Sequence, residues 1–214
     1  MANAYAPTFS ELVDEVQDIC ENTNDEFVDN IPKFIHRAQD QIQKDLGLSL
    51  WRDYFDLSIS TAEIARDTDW LIVKSIWLPD EEKFLEQRTV DYVRRCGGTG
   101  RPKYWAEDME NTIIVAPTPD APYDATVEFY ARLAALSEAN ETNWITRNAG
   151  DLLLVQTLLN AGIYLVANER VNECTGIYSA LMPQLQNELR ASERLRYQPI
   201  RAATRPAIQP GGFA

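Results

Sequence analysis

Histidine, cysteine and methionine are almost missing from these 214 residues, with one, three and three copies. A lone His36 leaves no histidine-based metal site, since zinc draws four ligands from short, characteristic spacings. Cys20, Cys96 and Cys174 form no CxxC pair. So odd and scattered a set reads as reduced thiols from a cytosolic synthesis environment. Long apolar runs are lacking too. None approaches the ~20 residues of a bilayer span. Met1-Ala2-Asn3-Ala4 opens no signal-peptide core, so neither a membrane protein nor a secreted precursor is expected. Cations are scarce: 20 Lys and Arg stand against 33 Asp and Glu, a net charge of −13. That balance excludes tight, nonspecific wrapping of DNA, which needs a row of cations to displace counterions. It suits a surface that DNA slides past without sticking.

What is present is an ordinary globular composition, 45% hydrophobic and 25% charged. The length points to one domain with an insertion, large enough to bury a core without a disulfide or metal staple. The hydrophobic period changes twice. Leu12, Val13, Val16, Ile19 and Cys20 make a helical stripe, and Thr8 with Glu11 matches a capping box. Phe34, Ile35, Ala38, Ile42 and Leu46 make a second stripe, with Pro32 in its first turn. Gly47 is placed to close that helix in the left-handed conformation.

From Trp51 to about Arg132 the pattern is that of strands, over 54–59, 70–78, 89–93, 112–115 and 125–130. Five or six short strands predict a small antiparallel sheet or open barrel. Helical period returns near Asn148 and is apolar almost all round to Val166, which predicts a central, buried helix. A last helix from about Glu169 contains Pro183, which should bend it. After Tyr197, three prolines and two glycines preclude a packed helix and leave an extended arm. The fold class is therefore α+β. An antiparallel helical bundle (1–50 and 145–196) carries a small inserted antiparallel β region (51–144) and an extended C-terminal arm (197–214).

Little in the chain carries chemistry. Gly97-Gly98-Thr99-Gly100 is followed by Arg101-Pro102 and strands, not by Lys-Ser/Thr and a helix, so it reads as a flexible hairpin tip. Asp80-Glu81-Glu82 after Leu78-Pro79 is a solvated turn rather than acid–base machinery. No Ser or Cys has a base, because His36 sits mid-helix beside Ile35 and reads as structural. No catalytic, cofactor or metal site is assigned, and the chain reads as a non-enzyme. Trp51, Trp70, Trp77, Trp105 and Trp144 allow an alternative, a carbohydrate- or peptide-binding module on the Trp-rich β region. The preferred reading makes them bulky core residues of a thin sheet.

Charge is unevenly placed. Five arginines, Arg190, Arg194, Arg196, Arg201 and Arg205, meet one acid, Glu193, so residues 190–214 carry +4 and the rest −17. A basic arm on an acidic body is common in assembly proteins, where the arm orders on a neighbour.

A series of short phrases, in order, is similar to the head-to-tail adaptor proteins of tailed bacteriophages. It runs through Ile31-Pro32-Lys33-Phe34-Ile35-His36-Arg37-Ala38-Gln39-Asp40-Gln41-Ile42, then Trp77-Leu78-Pro79 and Gly100-Arg101-Pro102-Lys103-Tyr104-Trp105. It continues with Ile113-Ile114-Val115-Ala116-Pro117-Thr118-Pro119, Val127-Glu128-Phe129-Tyr130-Ala131-Arg132, Asn143-Trp144-Ile145 and Asp151-Leu152-Leu153-Leu154. The resemblance implies a virion structural protein of the neck, made in the host cytoplasm and free of catalysis. It implies a homo-oligomeric ring, usually of twelve copies, beneath the portal protein, with a tail nozzle or tail tube protein below. Genomic DNA would pass through the lumen without sequence-specific binding, and no membrane would be involved. Arg190, Arg194, Arg196, Ile200, Arg201, Arg205 and Ile208 are the candidate portal or subunit contacts.

Overall fold

The computed structural model describes residues 5–108 and 111–196, with side chains to residue 191. Helix α1 (Phe9–Cys20) starts as its sequence predicts. The Thr8 hydroxyl accepts from the Glu11 amide at 3.2 Å and the Glu11 carboxylate accepts from the Thr8 amide at 2.8 Å. Asn24 caps a single turn, α2 (Asp25–Val28). Helix α3 (Ile31–Leu46) has Pro32 in its first turn, where the missing N–H costs nothing. Gly47 then turns at φ +85° but ψ 157°, so it launches an extended path instead of the left-handed cap expected.

Among the described residues eight strands follow in two sheets, where one small sheet or open barrel was expected. The first has the order β1 (Arg52–Ile59), β8 (Tyr123–Ala131), β3 (Trp70–Leu78), β4 (Lys83–Phe84), all antiparallel. The second has the order β2 (Glu63–Ala65), β7 (Thr112–Ala116), β6 (Tyr104–Asp108), β5 (Glu86–Gln87), with β5 parallel to β6. Three of the strands are only two or three residues long, too short to show a period in sequence. Residues 89–93, expected as a strand, form helix α4 (Val90–Arg95) instead. Thr89 caps it and Arg94 and Arg95 sit in its last turn, local signals that outweigh a five-residue β-like run. The Gly97 to Gly100 segment joins α4 to β6 and is no hairpin tip. Its backbone is held by Gly100 donating to the Thr118 carbonyl and Thr118 donating to that of Gly98.

Helix α5 (Trp144–Tyr164) begins four residues before the expected Asn148, because Asn143 accepts from the amides of Ile145 and Thr146. It is buried through its middle but not at its end. Ile163 is 59% exposed and Val166, just beyond, 77% exposed, against the expectation of burial all round. Helix α6 (Asn168–Arg196) does not stop at Pro183.

Leu12, Ile35, Ile42, Leu153 and Met182 belong to one apolar cluster lined by α1, α3, α5 and α6. Trp70, Ile76, Trp105, Ile113 and Val127 belong to another, between the two sheets. Polar side chains of α3 tie the exit of β8 to the helices. Gln39 donates to the carbonyls of Leu133 and Ala134, Gln43 donates to that of Ala131 at 2.9 Å, and the His36 ring lies 2.7 Å from that of Leu136. Positions 36, 39 and 43 share one helical face, so a single stripe reads six residues of extended backbone. His36 is structural, as its place in the sequence implies.

Candidate functional site

Asp80 and Glu81 lie in a 3₁₀ turn (Pro79–Glu81), and Glu81 pairs with Arg101. Among the described residues no group of three or more His, Cys, Asp or Glu is placed to hold a metal ion. No helix among them is long and apolar enough to cross a membrane. Cys20, Cys96 and Cys174 are free thiols.

The tryptophans do not form a platform. Trp70 and Trp105 are buried between the sheets, and Trp51 packs edge-on against Trp144 at 5.2 Å. Trp77 alone of the five belongs to the outer face of the first sheet. There, register and side-chain alternation dictate the arrangement. Asp56 pairs with Thr126, Thr126 with Trp77, and Trp77 with Phe84, which makes one row across all four strands. The neighbouring row is Tyr54, Glu128 and Ser75. Tyr54 is 56% and Phe84 62% exposed, and the Phe84 ring rests 4.6 Å from that of Trp77. Together these residues line an open groove of about 320 Å³.

Electrostatics divide that face. Glu128 meets Arg52 at 2.9 Å and Lys74 at 3.0 Å and accepts from the Ser75 hydroxyl. Burial opposes its ionisation, but the hydrogen bonds from Lys74 and Ser75 and the charge of Arg52 hold its carboxyl below the usual range. At the opposite end Asp56 accepts from the Thr126 hydroxyl at 2.6 Å, and with Ser58, Pro79 and Asp124 it borders a second hollow of about 580 Å³. The aromatic end of the face is neutralised and the other end is acidic.

A second exposed apolar patch sits where α5 turns into α6. Ile163, Tyr164 and Val166 present their side chains there, and Tyr164 also packs on Phe34 at 5.4 Å.

Residues 7–206 match the family whose description is SU10 adaptor protein. The chain belongs to this family of phage head-to-tail adaptors. No curated protein matches it. The family is structural, a component of the virion at the head-tail junction. Of the adaptor's candidate contact residues, Arg190 is exposed on α6. Arg194 and Arg196 lie on the last turns of that helix, with side chains outside the described residues. Ile200, Arg201, Arg205 and Ile208, with the whole expected arm, lie outside the described residues. Sequence reasoning missed Tyr54, Phe84 and Val166. Tyr54 was legible as one phase of an alternating strand. Phe84 sits in a two-residue strand, and Val166 had merged into an apolar helix.

Proposed function

We propose that copies of this chain form a ring, of twelve subunits in the usual adaptor arrangement, beneath the portal of a tailed phage. The ring seals or extends the DNA channel and carries the tail nozzle or tube. The observation that supports this most is the family match over residues 7–206. The charge pattern agrees with it. A body of −17 gives DNA a wall of like charge to slide past, and the +4 C-terminal segment supplies cations for a partner. In this reading residues 1–50 and 145–196 make the ring wall and 51–144 an outgrowth. Arg190, Arg194, Arg196, Ile200, Arg201, Arg205 and Ile208 bind the portal or an adjacent subunit through charge-assisted hydrogen bonds and apolar contacts. A glycan-binding role has little to stand on, with Trp77 the only tryptophan at the sheet's outer groove. The test is negative-stain imaging of the protein mixed with portal-bearing heads. A ring under the portal is expected; heads that stay bare, or a ring whose channel is lined mainly by Lys and Arg, refute the reading.

A further inference from the structure

We propose that the groove on the outer face of the first sheet receives the Pro199–Pro206 segment of another copy of this chain. The groove needs an occupant of particular chemistry. Its floor and wall are aromatic, with Tyr54 and Phe84 more than half exposed and Trp77 beside them. Grooves of this kind bind extended, proline-containing segments, whose rings lie on aromatic faces and whose low flexibility reduces the entropy lost on docking. One end is already neutralised, since Glu128 has Arg52 and Lys74. The other end presents Asp56 and Asp124, neither of which has an ion-pair partner among the described residues. An incoming chain should therefore carry proline and arginine together.

The C-terminal end of the sequence contains such a stretch. Gln198-Pro199-Ile200-Arg201-Ala202-Ala203-Thr204-Arg205-Pro206 has two prolines bracketing two arginines and no acid. At roughly 3.1 Å per residue an extended segment from Pro199 to Arg205 reaches about 19 Å. The groove and its acidic end span five residues of β8, from Glu128 to Asp124, four steps or roughly 13 Å. The segment covers that length.

A second copy is the donor because the proposed function has copies of the chain associating, and the segment lies at the far end of a long helix. The helix is tied to α3 by Tyr178 donating to Asp45 at 2.6 Å and Gln186 donating to the Asp45 carbonyl at 2.8 Å. It then continues to Arg196, about 15 Å further at 1.5 Å per residue, so residue 198 follows well beyond that attachment. An arm from one copy in the groove of the next is a head-to-tail contact, the kind that closes into a ring when its rotation permits. The inference thus rests on the copies associating, as the proposed function requires, and specifies one contact through which they do so.

The experiment uses the full chain with a photo-reactive benzoylphenylalanine at position 84, and a second preparation with it at position 54. Each is mixed as equal parts isotopically heavy and light protein and irradiated, and the cross-linked peptides are identified by mass. Oligomer size is followed in parallel by light scattering. Cross-links from the groove to residues 198–206, with heavy–light pairs as frequent as same-label pairs, are the expected result. An Arg201→Ala/Arg205→Ala variant, or high salt, should lower their yield several-fold, because exposed charge contacts are screened. No cross-link to that segment from either position overturns the proposal. So do same-label pairs alone, which place the arm on its own groove, or a yield indifferent to the arginines. Oligomers that form without the cross-link refute this contact while leaving the adaptor reading intact.

Discussion

Val166 has the least comfortable backbone among the exposed residues. Its φ is +56°, a region where a β-branched side chain crowds its own backbone, and the usual occupant of such a helix end is glycine. The surrounding bonds explain the demand: the Ala167 amide donates to the Gly162 carbonyl and that of Val166 to Ile163, the pattern of a helix closed by one left-handed residue. The side chain is 77% exposed and returns little packing. Val166→Gly should therefore stabilise the free chain by about 1 kcal/mol in a denaturant titration. An unchanged or lower midpoint would show that the valine makes contacts outweighing its strain. Leu158 is the opposite case, buried in the helical cluster. Leu158→Ala should cost about 2–5 kcal/mol, through lost burial and the cavity left behind. A change below about 0.5 kcal/mol would remove it from the core.

At the scale of elements, the start of α1 is held from two directions. Its own Glu11 completes the capping box, while Glu141, far along the chain, accepts from the Ser10 amide at 3.0 Å and the Ser10 hydroxyl at 2.8 Å. Hydrogen bonding to backbone amides is the leading cause that lowers the pKa of both carboxyls, the Thr8 amide for Glu11 and the Ser10 amide for Glu141. A depressed folded-state pKa means stability that is present above the unfolded value, near 4.3, and lost as pH falls through the folded one. The thermal midpoint of the wild type should exceed that of Glu141→Gln at neutral pH. The gap should close on acidification below about pH 4, as the glutamate protonates. Parallel curves down to acid pH would mean that the charge is immaterial to the cap. Much of the helical layout is legible at this scale. The Thr8–Glu11 box and the stripe from Phe34 to Ile42 are local, and folding leaves them where the sequence puts them. Helix α4 was hidden because six residues hold barely more than one turn, so a β-like run and a capping threonine compete on equal terms.

For the whole molecule, the decisive feature is the separation of charge and of cores. The helices share one apolar cluster and the sheets enclose another. The proline-containing end contributes charge of the opposite sign. If that end serves assembly, deleting residues 198–214 should leave the thermal midpoint of dilute, monomeric protein almost unchanged. The same deletion should abolish attachment to portal-bearing heads. Normal attachment by the truncated protein would reduce the segment to a tail without a role. A large fall in midpoint would instead make it part of the subunit's own core.

Local sequence by itself determined the α+β character, the Thr8–Glu11 capping box and the extents of α1 and α3. Those properties depend on residues within a turn or two of each other or on composition. Only the tertiary structure decided that the strands form two sheets, that His36, Gln39 and Gln43 grip the backbone from Ala131 to Leu136, and that Trp77 lies beside Phe84 and Tyr54. Each depends on register between segments distant in the chain. Register is set by which faces can be buried together, and a one-residue slip would turn every side chain of a strand to the other face.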